Sequence, residues 1–476
     1  MLNLLLLMVA MNGGLSSLIQ EKFYAGQEEQ VLEAFEKAKP AEQQLPSSMG
    51  CMVAESYLAR ENFKEGFARF DARLTVDNGR DGSKRGERLT NPWKGSDPAN
   101  KNIVVITEGG FGDVMSAPFL PFVQALTRLG AHVTVALSGG HKRLRPLLEK
   151  HSQLPNWGIA FTEVPDKEKV SQGDYQAFLM SLPQYVSIDP ATGNATLKGV
   201  TAEQEIPRYP TITIQEASKT FWTDALSRGD YKGKYVIALA HAASLLPPGQ
   251  HDRGLDRSIP LSRLVPAICQ KFGLNNVAII NLIAPFNPAV PESEYGKALA
   301  QLKESFGAKR KKVQGDQSLS EPARVAALEK LTKEEHDQEN NLRMSIVPDD
   351  YMVALRDPRA VKAEYDKEAY VDLGAILSVL GDAHAPVTGA VGSVDTSVIN
   401  QAGLIVAGKP KDAVRVAGFL SKIHDWRWGK CAESSDKKSP WYPELTLFLQ
   451  KKQGNWQPVV EGFVQWLSNW QKSSKQ

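Results

Sequence analysis

Two hydroxyls, a carboxylate and an amide fall within eight residues in Ser393-Val394-Asp395-Thr396 and Asn400, after an apolar strand-like segment and at the start of a helical pattern running through Gly403. Such a turn can hold a nucleotide diphosphate. Backbone N–H groups at a helix N-terminus and the helix dipole favour dense negative charge, and small side chains let it approach. Asp395 has an equally physical second role as the cap of that helix. A Gly-rich turn, Glu108-Gly109-Gly110-Phe111-Gly112-Asp113, follows the strand-like Ile103 to Thr107. Its glycines permit positive φ and close approach of a ligand. Asp113 falls at the start of the next helix, where its carboxylate can cap the helix or, partly desolvated, take the proton from an attacking hydroxyl. The turn does not match the dinucleotide fingerprint.

A third group lies between these two. His241, Ser244 and the segment Gln250 to Pro260 form a long loop after the strand-like Tyr235 to Ala240. That is the carboxyl edge of a parallel sheet, where open α/β folds bind their ligands. Arg257 and Arg253 are the cations there that can neutralise a departing diphosphate, and each is equally readable as a surface arginine. His241 fits a ligand contact or a satisfied histidine at a strand end. Trp426 and Trp428 flank Arg427, a spacing that can set one ring against a nucleobase or a sugar face as well as fill a core.

The chain that must position these groups has 476 residues, 42% of them hydrophobic, enough for two or three cores. With 56 basic and 54 acidic residues, it has no global drive toward nucleic acid or an anionic membrane. Cys51, Cys269 and Cys431 lie far apart without a CxxC pair, so neither a disulfide framework nor a zinc site is indicated, and a reducing, cytoplasmic setting is expected. Leu2 to Met11 is apolar, but no Lys or Arg precedes it, and a buried first helix ending at Asn12-Gly13-Gly14 is the expectation rather than a signal peptide.

Residues 1–88 carry helical stretches and no strand-like alternation, which predicts a small helical domain. Tyr57-Leu58-Ala59, Phe63, Gly66, Phe67, Phe70 and Ala72 have helix-pair spacing, as in a tetratricopeptide unit or a generic helical hairpin. Residues 89–228 are read as a first Rossmann-like domain, with a strand at Ile103 to Thr107, a helix over Val114 to Leu129, a C-cap at Gly130 and a parallel strand at Ala131 to Leu137. Residues 229–455 are read as a second, donor-binding domain. It holds a polar insertion over 286–368 with helical patterns at Glu292 to Phe306 and Glu321 to Glu339. The basic run Lys309 to Lys312 within it reads as a solvated face or an anionic contact.

Several motifs in order resemble a known family. Pro92-Trp93-Lys94-Gly95, Glu108 to Asp113, Arg257-Ser258-Ile259-Pro260-Leu261, Ser393 to Thr396, Asp425 to Gly429, Ser439 to Pro443 and Gly454-Asn455-Trp456 are similar to bacterial tetratricopeptide proteins with a heptosyltransferase-like domain, of glycosyltransferase family nine. Asn62 to Arg73 resembles their final repeat, and the likeness runs from about residue 55 to 470 without the insertion. The resemblance implies an α/β, GT-B type fold: two Rossmann-like domains facing a cleft, with the terminal helix, residues 456–476, crossing back to the first domain. It implies inverting sugar transfer from a nucleotide diphosphate sugar to a hydroxyl on a protein or glycan, with no cofactor and no metal requirement. Asp113 matches the family's general base, Arg257 its basic residue near the donor phosphates, and Asp395-Thr396 its donor-binding turn. The chain departs from the pattern at Asn400, where the family has histidine, and at Gly109, where it has glutamine.

The expected ligand contacts are therefore Glu108, Gly110, Gly112, His241, Ser244, Ser393, Asp395, Thr396, Asn400, Gly403 and Trp426, with Asp113 and Arg257 as the catalytic pair. The helical domain is a candidate protein-partner surface. Two other classes remain open on the residues alone: a non-catalytic scaffold on the same fold, favoured by Asn400, and a sugar-phosphate isomerase of epimerase type.

Overall fold

The computed structural model describes residues 14–41, 43–76, 84–114, 119–152, 159–164, 170–189, 192, 194–200, 214–242, 257–283, 289–362, 365–433 and 439–473. The chain forms two compact units. The first comprises Met1–Gln215, Asn400–Lys411 and Lys422–Leu445, and the second Glu216–Ile399, Asp412–Ser421 and Thr446–Gln476.

In the first unit, helices Glu28–Lys37, Ser47–Ala59 and Phe63–Phe70 precede a parallel sheet. Asn62 caps the last of these helices by accepting from Glu65 N at 3.3 Å, and the helix buries Phe63, Gly66, Phe67 and Phe70. Ile19, Phe23, Val31, Phe35, Met49, Val53 and Tyr57 form a small core among the helices. The sheet holds β1 (Asn102–Ile106), β2 (His132–Ser138), β3 (Ile159–Val164) and β4 (Tyr175–Phe178) in the order β3-β2-β1-β4. Its pairings are all parallel. A short hairpin of β5 (Ser187–Ile188) and β6 (Ala195–Thr196) follows. The expected βαβ unit is present, with its helix at Leu120–Arg128 and Gly130 past its end at φ 88°.

The helical segment is not a domain by itself. Residues 1–88 belong to the same compact unit as the first sheet, and the first segment of that unit ends at Gln215 rather than at 228. Phe67 and Phe70 explain this, since both rings lie against Phe119, at 6.3 and 6.4 Å, next to the helix of the βαβ unit. A helix that spends its apolar face on the sheet domain cannot stand apart from it.

The second unit is built on six parallel strands: β7 (Tyr235–Ala240), β8 (Val277–Asn281), β11 (Leu355–Arg356), β12 (Gly389–Ser393), β13 (Val416–Leu420) and β14 (Thr446–Leu449). Their order is β11-β8-β7-β12-β13-β14. In order of appearance this is 3-2-1-4-5-6, the doubly wound arrangement whose strand order reverses between the first and fourth strands. β7, β8, β12 and β13 are buried along their whole length, as strands covered on both faces must be.

The terminal helix Gln457–Ser473, expected to cross back, stays with this second unit. Val459, Val460, Phe463 and Leu467 share one core with Leu261, Leu264, Ile268 and Phe419, and the Phe463 and Phe419 rings meet at 4.8 Å. Its apolar stripe is consumed there. The segment that returns to the first unit is instead the aromatic-rich Lys422–Leu445.

The insertion folds as two helices of 24 residues each, Glu292–Gly315 and Glu321–Met344, over a parallel pair of β9 (Val290–Pro291) and β10 (Ile346–Val347). Arg310 pairs with Glu335 across the hairpin, Lys309 sits 4.3 Å over the Phe306 ring, and Lys311 and Lys312 are exposed. Among the described residues, no helix is long and apolar enough to cross a membrane.

Candidate functional site

In the second unit β7 and β12 are neighbours, and their carboxyl ends meet with Ala240 opposite Ser393. Val394 N donates to Ala240 O at 2.8 Å, closing the edge where the strand order reverses. Ligands of open α/β sheets bind outside that edge. The step past β7 is His241, 1% exposed. Its carbonyl accepts from Ile259 N at 2.8 Å, and its Nδ1 lies 3.2 Å from Ile259 O. Facing a carbonyl, Nδ1 must carry the proton, which leaves Nε2 as an acceptor. Nε2 is buried with no partner among the described residues. Arg257, half-buried, stands two residues before Ile259. Three expected positions far apart in sequence are thus drawn to one sheet edge. Ser244 and Arg253 lie outside the described residues.

Burial pushes the His241 imidazole down from 6.5 to about 4, partly opposed by the Ile259 carbonyl. It is therefore neutral near pH 7. The unfolded chain takes up this proton as pH falls below about 6.5, whereas the folded protein resists until about 4. Stability from this group is complete above 6.5 and is lost progressively down to about 4. The full loss is about 3 kcal/mol. His241→Asn keeps an N–H for Ile259 O but does not titrate. Denaturant unfolding at a series of pH values is expected to show a shallower acid slope in the variant than in the natural chain. An unchanged slope would mean that His241 is not held neutral by burial.

Past β12 the Ser393 hydroxyl accepts from Asp395 N at 2.9 Å. Asp395 Oδ1 accepts from Ser397 N at 2.8 Å, from Val398 N at 3.2 Å and from the Ser397 hydroxyl. Thr396 opens the helix Thr396–Val406. The capping role of Asp395 is the one the geometry displays, and it changes the electrostatics expected of the turn. Two of the end donors are occupied, and a carboxylate already sits on the positive end of the helix dipole. Such an end offers an anion fewer free donors than an uncapped helix end.

Gly403 is a correction. A Cβ at that position would fall 2.2 Å from Tyr442 Cδ1, so the missing side chain serves close packing of the helix on a ring rather than approach of a ligand. Trp426 is another. It is 6% exposed, and its ring is enclosed by Phe67, Phe70, Phe119 and Trp441 with centroids 6.0–6.2 Å away. The Arg427 guanidinium lies over it at 4.5 Å. No face is left for a nucleobase.

The Gly-rich turn of the first unit follows β1, whose neighbour β4 marks the reversal in that sheet. Glu108 is 4% exposed and is not open to a ligand. Arg73 Nη2 donates to its Oε1 at 2.5 Å, Arg73 Nε and Arg85 Nη1 donate to Oε2 at 3.3 and 2.9 Å, and Met180 N adds a bond at 3.3 Å. Gly109 adopts φ 77°, a left-handed conformation that glutamine would hold only with strain, which accounts for the glycine there. Gly110 leads into the short helix Phe111–Val114, which contains Gly112 and Asp113. His141 braces the same turn, with Nδ1 3.0 Å from Thr107 Oγ1 and Nε2 3.1 Å from Gly109 O. Asn400 Nδ2 donates to Gly112 O at 2.6 Å. Arg73, Arg85 and His141 were not singled out from sequence for this site, and no local spacing marks them: Arg73 is 35 residues from its carboxylate.

No family model matches the chain. No curated protein matches it either. Among solved structures, the crystal structure of the glycosyl transferase family 9 from Veillonella parvula DSM 2008 is similar at 10% identity and a TM-score of 0.32, over 75% of this chain and 88% of that one. A superposition that loose says nothing about shared chemistry, and the functional reading stands on the residues.

Proposed function

We propose that the protein is an inverting glycosyltransferase that moves a sugar from a nucleotide diphosphate sugar to a hydroxyl of a protein or glycan. The observation that carries this is the meeting of His241, the Arg257–Ile259 segment and the Ser393–Thr396 turn at the reversal point of a doubly wound sheet. The ordered motifs that resemble glycosyltransferase family nine support it. In the reaction the acceptor hydroxyl gives its proton to the Asp113 carboxylate, and its oxygen bonds to the anomeric carbon as the bond from that carbon to the phosphate oxygen breaks. The nucleoside diphosphate leaves with the electron pair. Arg257 balances its charge, a role made heavier by the carboxylate already capping the nearby helix.

Calorimetry with nucleosides, nucleoside diphosphates and nucleotide sugars tests the reading. A nucleoside diphosphate is expected to bind, and Arg257→Ala is expected to weaken it by about 10-fold or more, the loss of a charge-assisted hydrogen bond, while a nucleoside is affected little. A folded protein that binds no member of the panel favours a scaffold role.

A further inference from the structure

The loop that carries Asp113 is held through its main chain by two side chains distant in sequence. His141 Nε2 meets the Gly109 carbonyl at 3.1 Å, and Asn400 Nδ2 donates to the Gly112 carbonyl at 2.6 Å. Asn400 is 0% exposed. Its other amide atom, Oδ1, is buried without a partner among the described residues. An unsatisfied buried acceptor is a standing cost that an apolar residue of similar size would not carry, and such residues concentrate where geometry matters more than stability.

We infer that Asn400 is a positioning residue that fixes the Gly112 carbonyl, and through it the backbone of Asp113. The inference deepens the proposed reaction and rests on it only for the role of Asp113. It also explains a departure from the family pattern. Histidine at this position has Nδ1 near where asparagine has Nδ2, so either residue can donate the same bond. What the position requires is then one N–H aimed at a carbonyl, and neither charge nor a mobile proton. Asn400→Asp keeps the shape but sets an oxygen against the Gly112 oxygen. Asn400→His restores a donor.

Hydrogen exchange of the amides over 109–114, read with no substrate present, tests the clamp directly. Asn400→Ala and Asn400→Asp are expected to speed exchange there roughly 10-fold, the equivalent of one lost hydrogen bond, while amides of β7 and β12 stay protected. Asn400→His is expected to restore the natural rate. In transfer assays the Ala and Asp variants should lose kcat on the order of 100-fold with donor KM little changed, and the His variant should recover it. Natural exchange at 109–114 in both Ala and Asp variants, or full kcat in the Asp variant, overturns the inference. If the Ala variant unfolds, the Asp and His pair decides. If the natural protein transfers no sugar to any acceptor, the proposed reaction fails, while exchange still decides whether Asn400 holds the loop.

Discussion

Glu108→Ala is expected to destabilise the first unit by about 3–5 kcal/mol, the usual consequence of removing one member of a buried ion pair. The side chains of Glu108 and Arg73 are 2% and 10% exposed. Once the carboxylate is gone, Arg73 retains Asp71 at 2.8 Å, the Phe70 carbonyl at 3.0 Å and the Ser181 hydroxyl at 2.9 Å, but its Nε and one Nη2 bond lose their acceptor. Arg85 loses its contact as well. The buried Arg73 cation, left with only part of its pairing, and not lost attraction at the one-third exposed Arg85, is the main source of the penalty. Two companion variants separate those causes. Glu108→Gln keeps an acceptor without the charge and should fall between the natural protein and Glu108→Ala. Adding Arg73→Met to Glu108→Ala removes the orphaned cation and should recover a substantial part of the loss. Urea unfolding followed by aromatic fluorescence reports all three. A loss below about 1 kcal/mol in Glu108→Ala would mean that the network is solvated and carries little.

That network marks where the sequence stops being readable. β7 and β12 are legible because each is a short apolar run that a two-sided parallel sheet demands, and the helices of the insertion are legible from their long, polar helical patterns. The turns after those strands follow from where they sit. What the local pattern cannot carry is partnership at a distance. Glu108 has the same residues beside it whether its oxygens face a ligand or Arg73 and Arg85, which lie 35 and 23 residues upstream. Trp426 and Trp428 show a spacing compatible with a ligand platform, yet rings from Phe67 to Trp441 surround Trp426. The division into units was hidden for the same reason: helix Thr396–Val406 starts in one unit and ends in the other, and only tertiary packing tells which residues go where. Asp395 is an intermediate case. Its capping role was readable from the residues, but the bonds by which it occupies Ser397 N and Val398 N come only from the folded chain.

Asp113→Asn should lower sugar transfer by a factor of about 100 to 10,000, the range typical of a lost general base. Asparagine is the informative choice because it has nearly the size and shape of aspartate, and Asp113 is the third residue of the helix Phe111–Val114. The substitution therefore keeps a polar side chain of the same shape and removes the capacity to accept a proton. Stability should then stay close to that of the natural protein, since the two side chains have nearly the same size and shape. Binding of a nucleoside diphosphate, followed by calorimetry, should be unaffected, since the base acts on the acceptor. The pH profile gives an independent check. With a carboxylate base, kcat/KM of the natural protein rises as that group ionises, and the rise should vanish in the variant. Full transfer activity in Asp113→Asn, with the natural pH profile retained, would remove this residue from the chemistry.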